Sequence, residues 1–228
     1  MLSFPTGIGP LMPAKADFIR ANTRLMPVSL VPEIVLHVAD EAVPLWQKTE
    51  DELEAMGLPP PFWAFAWAGG QALARYILDH PETVAGQRVL DLGAGSGLVA
   101  IAAAKAGAAH VMAAETDSFA ASAIALNAEA NGVQIVMLET NLLAESCPFP
   151  PGIDAVLVGD LFYEQTTAQR VIALLQRMAA AGTHVLIGDP GRSYLPKDRL
   201  RRLADYSVPV TRDLEDADIK QTAVWTLR

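Results

Sequence analysis

Three glycines on alternate positions, Gly93, Gly95 and Gly97, follow the apolar run VLDL (89–92), and an alanine-rich run follows them. Removing side chains from alternate positions of a strand-to-helix turn lets a ligand reach the backbone, and the free amides of a helix start attract polar or anionic groups. The spacing is G-x-G-x-G. A dinucleotide fingerprint needs its third glycine at position 98, which is Leu98, and a P-loop needs a following G-K-[ST], which is missing. Asp91, just before the loop, would repel a pyrophosphate and welcome an ammonium or sulfonium centre. About 20 residues further on come Glu115 and Asp117, where an acidic side chain can accept two hydrogen bonds from a ribose diol. A nucleoside with a positive centre satisfies both carboxylates, and S-adenosylmethionine is the abundant cofactor of that description. The competing structural readings are a tight turn for the glycines and a solvated helix cap for Glu115.

These residues need elements to hold them. From Gly86 onward QRVLDLG reads as a buried strand, LVAIAAAKAG as a helix closed by Gly107, HVMAAE as a strand, SFAASAIALNAEANG as a helix closed by Gly132, and QIVMLE as a strand. AVLVGD (155–160) is a fourth strand, EQTTAQRVIALLQRMAAAG a helix, and THVLIGD (183–189) a fifth strand. After GDPGRSYLPKD the pattern predicts a short helix and then two closing antiparallel strands, SVPVTRD and KQTAVWTLR. Upstream, FWAFAWAGGQALARYILDH (62–80) predicts a helix from about Trp67 to the His80-Pro81 step. DFIRANTRL (17–25) and LWQKTEDELEAMG (45–57) read as helices, EIVLHVA (33–39) as a strand, and the first ~15 residues as a loose arm. The fold class is α/β: a Rossmann-like, doubly wound, mainly parallel sheet, with its ligand at the carboxyl ends of the strands. The expected division is an N-terminal extension over 1–60 and a cofactor-binding domain over 61–228.

Composition narrows the function. With 17 Lys plus Arg against 26 Asp plus Glu, the net charge of −9 removes the basic footprint of a nucleic-acid binder. Cys147 is the single cysteine, and His37, His80, His110 and His184 lack metal-ligand spacing, so no metal site is expected. His184, at the start of an apolar strand, reads as a satisfied core residue. The acidic run TEDELE (49–54) reads as a solvated helix face. The N-terminal residues lack a signal-peptide pattern and no charge-free apolar stretch reaches membrane-spanning length, so the expectation is a soluble cytoplasmic protein.

The glycine loop with the acid at the second strand end resembles the class I (seven-stranded) methyltransferases. The Asp-Leu-Phe-Tyr run of GDLFYE (159–164) is similar to the acid-x-x-aromatic motif of their lysine-directed branch. Together with PFWAFAWAGGQALARYILDHP (61–81), LIGDPGR (186–192) and TAVW (222–225), it resembles the electron-transfer-flavoprotein β-subunit lysine methyltransferase family over roughly 17–228. The resemblance implies S-adenosylmethionine as methyl donor, S-adenosylhomocysteine as product and the β subunit of electron transfer flavoprotein as protein substrate. It implies a cofactor pocket formed by Trp67, Asp91, Gly93, Gly95, Glu115, Asn141 and Asp160, with Asn141 near the adenine amino group and Trp67 over the methionine end. Glu115 and Asn141 stand where the family usually has Asp, and both keep the hydrogen-bonding capacity.

Methyl transfer from a sulfonium is an in-line displacement, so the protein mainly positions a neutral nucleophile and excludes water. A lysine pKa near ~10.4 leaves little neutral amine at pH 7. Asp160 can orient the amino group, but a lone carboxylate would raise the lysine pKa. The catalytic assignments are therefore Asp160 for orientation and Tyr163 for shaping the lysine channel, with Phe162 joining Tyr163 in an aromatic wall. Trp63 is expected to pack. Asp189 and Arg192 read equally as a structural ion pair or as the substrate mouth. The alternative acceptors are another protein lysine, for example on a ribosomal protein, or a small amine. A cofactor-binding module without activity is the non-enzymatic alternative.

Overall fold

Each parallel strand of the central sheet is decided by an apolar run too short for a helix, buried on both faces in all but the half-buried edge strand Val136–Leu138. These are β3 (Arg88–Leu92), β4 (His110–Ala114), β5 (Val136–Leu138), β6 (Ala155–Gly159) and β7 (His184–Asp189) in the computed structural model, which describes residues 13–39, 60–144, 147–210 and 218–228. They pair in parallel. Two long strands, β8 (Leu200–Pro209) and β9 (Ile219–Leu227), close the sheet by antiparallel pairing, giving the order β5-β4-β3-β6-β7-β9-β8. The short helix expected after Asp198 does not form; a turn of 3-10 helix covers Lys197–Arg199 instead. The residues beyond it form the first half of β8, where pairing with β9 overrides local helix preference.

The period of two along each strand sorts side chains into two cores. Val89, Val111, Leu157 and Leu186 face one side and pack under α2 (Ala68–Asp79) and α3 (Leu98–Lys105). Leu90, Met112, Val156 and Val185 face the other side and meet α5 (Gln165–Ala180). Helix α3 is apolar all round, and its residues Leu98 to Ala103 are buried. Helix α4 (Ser118–Asn131) starts at an Asp117 cap that accepts from Phe119 N, and ends at Gly132 in the left-handed region.

Residues 13–38 pack onto this unit. Helix α1 (Pro13–Asn22) lies against α4, and the hairpin β1 (Arg24–Val28) and β2 (Val31–Val38) places Val28, Val31, Ile34 and Leu36 in the same buried cluster as α2 and α3. Asn131 treats β2 as an edge strand: its Oδ1 accepts from Val35 N at 3.1 Å and its Nδ2 donates to Val35 O at 2.6 Å. Asn127 links the hairpin to the glycine loop, accepting from His37 N and donating to Ser96 O. The expected N-terminal arm through residue 12, the helix over 45–57 and the acidic run 49–54 lie outside the described residues. Among the described residues no helix is long and apolar enough to cross a membrane.

Candidate active site

The chain runs outward from β3 to β4 and β5, then returns to place β6 on the other side of β3. This reversal opens a crevice above the carboxyl ends of β3 and β6, where open α/β sheets bind ligands. A cavity of about 520 Å³ occupies it. Leu92, Gly93 and Gly95 contribute from the β3 side, Ala114 and Glu115 from β4, Asn141 and Leu142 from beyond β5, and Gly159, Asp160 and Tyr163 from β6. Phe62, Trp63 and Trp67 close it from the segment leading into α2, and Arg192 from the turn after β7.

The loop amides reveal which ligand this end of the cavity suits. Gly93 N and Ala94 N donate to Ala114 O, Gly95 N to Glu115 Oε2 at 3.0 Å, Gly97 N to Ala94 O, and Ala100 N to Asp91 Oδ2 at 2.9 Å. Amides already taken by carboxylates and carbonyls do not form an anion nest. Among the described residues the charged lining comprises three carboxylates, Glu115, Asp117 and Asp160, against one guanidinium, Arg192. A cationic ligand fits that balance and a pyrophosphate does not. A Cβ on Gly95 would meet nothing within 4 Å, and Gly95 borders the cavity, so the glycine leaves open space at the point where a nucleoside would lie on the backbone. Glu115 holds the loop: its Oε2 accepts from Gly95 N and its Oε1 from Thr116 N and Asp117 N, which leaves a lone pair on Oε2 for a hydroxyl of a diol.

Asp91 occupies a different place from the one expected. It shares the strand face of Val89, not that of Leu92, so its 1% exposed carboxylate sits under α3 and caps Ala100 N instead of lining the cavity. Burial, opposed by the Ala100 hydrogen bond and reinforced by Glu115, raises its pKa to about 7.

The β6 end is built on four glycines. Gly159 and Gly188 are register partners on adjacent strands, and Gly69 and Gly70 of α2 rest directly on them. A Cβ on Gly188 would lie 2.1 Å from Gly69 O, and one on Gly159 would lie 3.2 Å from Gly70 Cα. The close approach brings the start of α2 over Asp160, whose Oδ2 accepts from Gly70 N at 2.8 Å. Its Oδ1 accepts from Arg192 Nε at 3.1 Å and Nη2 at 2.7 Å. Asp160 has φ 59°, the one positive φ at a non-glycine among the described residues, a strained conformation of the kind found at functional sites. Burial lifts its pKa to about 6; Arg192 opposes the rise and Asp189 adds to it. The even choice for Asp189 and Arg192 resolves into separate duties. Asp189 accepts from Gly191 N and Arg192 N at 2.7 Å, fixing the turn, while the Arg192 guanidinium reaches Asp160 and the cavity.

The aromatic wall differs from expectation in one member. Phe162 is fully buried in the core with Val158 and Leu175, because the strand end turns it inward, and Phe62 takes its place. Phe62 and Tyr163 are each about half exposed with ring centroids 6.3 Å apart, and Trp67 stands 6.1 Å from Phe62. Trp67 donates Nε1–H to Phe62 O, and the Arg192 guanidinium lies 5.7 Å from the Trp67 ring centroid. Trp63 is buried and stacked on Phe119, as expected, while also bordering the cavity. His184 is exposed at the amino end of β7, away from the cavity, and is not the core residue anticipated. Of the predicted site residues, Trp67, Gly93, Gly95, Glu115, Asn141, Asp160 and Tyr163 meet around one cavity and Asp91 does not. The sequence reading missed Phe62, the Arg192–Asp160 pair and the glycine contact. A usable signal was present: Gly-Asp ends both AVLVGD and HVLIGD, and a Gly-Gly pair precedes them.

Comparison with known proteins decides the family. The chain is 40% identical over 215 residues to the electron transfer flavoprotein beta subunit lysine methyltransferase of Danio rerio, covering 92% of this chain and 81% of the relative. The chain belongs to the electron transfer flavoprotein β-subunit lysine methyltransferase family. The Homo sapiens member is 34% identical over 240 residues, with 99% of this chain and 89% of the relative covered. The ribosomal protein L11 methyltransferase (PrmA) family matches residues 71–158, the glycine-loop half of the sheet. Among solved structures, ribosomal protein L11 methylase from Lactobacillus delbrueckii subsp. bulgaricus superposes with a TM-score of 0.49 at 20% identity, over 72% of this chain and 81% of that one. The protein is an S-adenosylmethionine-dependent methyltransferase with the seven-stranded Rossmann-like fold of the class.

Proposed function

We propose that this methyltransferase modifies lysine side chains of the electron transfer flavoprotein β subunit. The observation that carries the reading is Asp160. It is a buried carboxylate at the end of β6, held between Gly70 N and Arg192 in the cavity that Phe62, Trp67 and Tyr163 also line. An amine entering past the aromatic rim meets a fixed acceptor that can orient its N–H groups. The rim takes the aliphatic stem of a lysine and tolerates a methylated ammonium.

The cofactor supplies an electrophilic methyl carbon: the amine lone pair forms the N–C bond as the C–S electron pair returns to sulfur, leaving S-adenosylhomocysteine. In this reading Glu115 holds the ribose diol, Asn141 contacts the adenine edge, Gly95 admits the nucleoside to the backbone, Gly93 borders the cofactor where Leu161 packs against it, and Trp67 covers the methionine end. Asp91 contributes by anchoring α3, Asp160 by orientation and Tyr163 by shaping the channel. Residues 61–228 then carry the catalytic unit, and residues 1–60 are its N-terminal extension.

The test is incubation with labelled S-adenosylmethionine and purified electron transfer flavoprotein, read by mass spectrometry. Methyl-lysine on the β subunit is expected, with transfer lost more than ~100-fold in Asp160→Asn, in line with the loss of an orienting group. Asparagine tolerates the left-handed φ, so the fold and cofactor affinity by calorimetry should persist. Full transfer by Asp160→Asn would remove the role given to this carboxylate. The match of residues 71–158 to the PrmA family favours a ribosomal protein lysine as the second reading, and stronger labelling of ribosomal proteins would select it.

A further inference from the structure

A carboxylate at an amine-binding site poses a chemical problem, because it favours the ammonium form that cannot attack carbon. Resting on the lysine reading above, we propose that Arg192 is a positioning residue that keeps the acceptor amine uncharged by occupying the negative charge of Asp160. Arg192 Nε and Nη2 both converge on Oδ1 and Gly70 N takes one lone pair of Oδ2, leaving the other lone pair of Oδ2 to orient a neutral amine. The guanidinium is itself fixed. Its backbone amide is tied to Asp189, its side chain is mostly buried, and it lies over Trp67. No solvent reorganisation is then needed to neutralise Asp160 when a substrate arrives.

Proton counting gives the consequence. With Arg192 present, Asp160 and the guanidinium sum to zero, and the amine enters without a proton. Without Arg192, the buried carboxylate recruits one proton. That proton resides either on Asp160, which then hydrogen-bonds the amine lone pair, or on the amine itself; the two sites titrate as a pair. Either arrangement blocks the nucleophile until the pH is high enough to remove the shared proton. The other charged groups nearby do not replace Arg192. Asp189 accepts from the Arg192 amide, Glu115 and Asp117 of the same cavity are acidic, and Lys197 lies beside Gly191, outside the cavity lining.

The experiment measures kcat and KM for electron transfer flavoprotein from pH 6.5 to 10 in wild type, Arg192→Gln and Arg192→Lys, with S-adenosylmethionine affinity by calorimetry and thermal unfolding alongside. Arg192→Gln should lose at least tenfold in kcat at pH 7.5 with KM nearly unchanged. Its acid limb should move up by about one pH unit or more, the size expected for removing one close charge, so that activity recovers toward pH 10. Arg192→Lys keeps the charge and loses the planar fork, so its limb should stay near wild type while kcat falls. Limbs of Arg192→Gln and wild type that coincide overturn the inference, as does an Arg192→Lys limb displaced as far as that of Arg192→Gln. Should Arg192→Gln fail to bind cofactor or to fold, Arg192→Lys decides alone: an unmoved limb supports the role and a limb raised by a unit overturns it. A wild-type enzyme that methylates no lysine of the flavoprotein removes the proposed function itself, a result distinct from wild-type activity with coincident limbs.

Discussion

Gly69 and Gly70 are adjacent at the start of α2, yet replacing each by alanine should act in opposite directions. A Cβ on Gly69 would lie 2.3 Å from Gly188 O, 2.6 Å from Asp160 Oδ2 and 2.8 Å from Asp160 Cγ. None of these atoms can swing aside. One is strand backbone, and the other two belong to a carboxylate held by Gly70 N and Arg192. Relief needs a shift of α2 by several tenths of an ångström or more, an overpacking cost of ~1–3 kcal/mol that exceeds the helix-propensity gain of about 1 kcal/mol for Gly to Ala. The net expectation for Gly69→Ala is a loss of up to ~2 kcal/mol and, because Asp160 is displaced directly, a fall in kcat of more than ~10-fold at a temperature where the variant stays folded. A Cβ on Gly70 would meet only Leu98 Cδ2 at 3.8 Å and Val99 Cγ2 at 3.9 Å, ordinary contacts with no backbone in the way. Gly70→Ala should therefore keep its amide on Asp160 and gain up to ~1 kcal/mol from helix propensity. Urea unfolding followed by tryptophan fluorescence reads the stabilities, and labelled methyl transfer reads kcat. Equal effects of the two substitutions, in stability and in rate, would refute the argument that the helix start sits backbone-on-backbone over β6 and β7.

Other substitutions test the cofactor end. Glu115→Ala removes the acceptor for Gly95, Thr116 and Asp117 amides together with the proposed diol partner, so S-adenosylmethionine affinity should fall at least ~10-fold by calorimetry. Unchanged affinity would move the ribose contact to Asp117. Asp91 gives a pH signature. With its folded pKa raised from 3.8 to about 7, the folded state binds more protons than the unfolded one, so unfolding free energy should decline as pH rises from about 4 to 7 and level off above. Asp91→Asn keeps an oxygen for Ala100 N and should flatten that slope, increasing stability relative to wild type at pH 8. Parallel urea curves for both proteins at pH 5 and pH 8 would contradict the burial argument.

Much of this architecture was legible in the chain itself, because strands such as AVLVG and helices such as SFAASAIALNAEAN carry their own period, length and terminators. The G-x-G-x-G spacing and the acid at Glu115 already pointed to a nucleoside, since these are local facts about one turn and the next strand end, whereas the argument for its positive charge rested on Asp91, which the fold turns under α3. Tertiary structure decided whatever depended on which face a residue occupies or on elements distant in sequence. Asp91 belongs under α3 because the pleat assigns it the face of Val89, and Phe162 turns into the core while Phe62, a hundred residues away, reaches Tyr163. Residues 200–206 become strand because β9 offers a pairing partner. Arg192 meets Asp160 because β6 and β7 are neighbours that both end in Gly-Asp, and the bare glycines let α2 settle onto them. A one-dimensional pattern records residue type and local period; charge neutralisation between two turns is a property of the packed sheet, where burial makes the pairing strong.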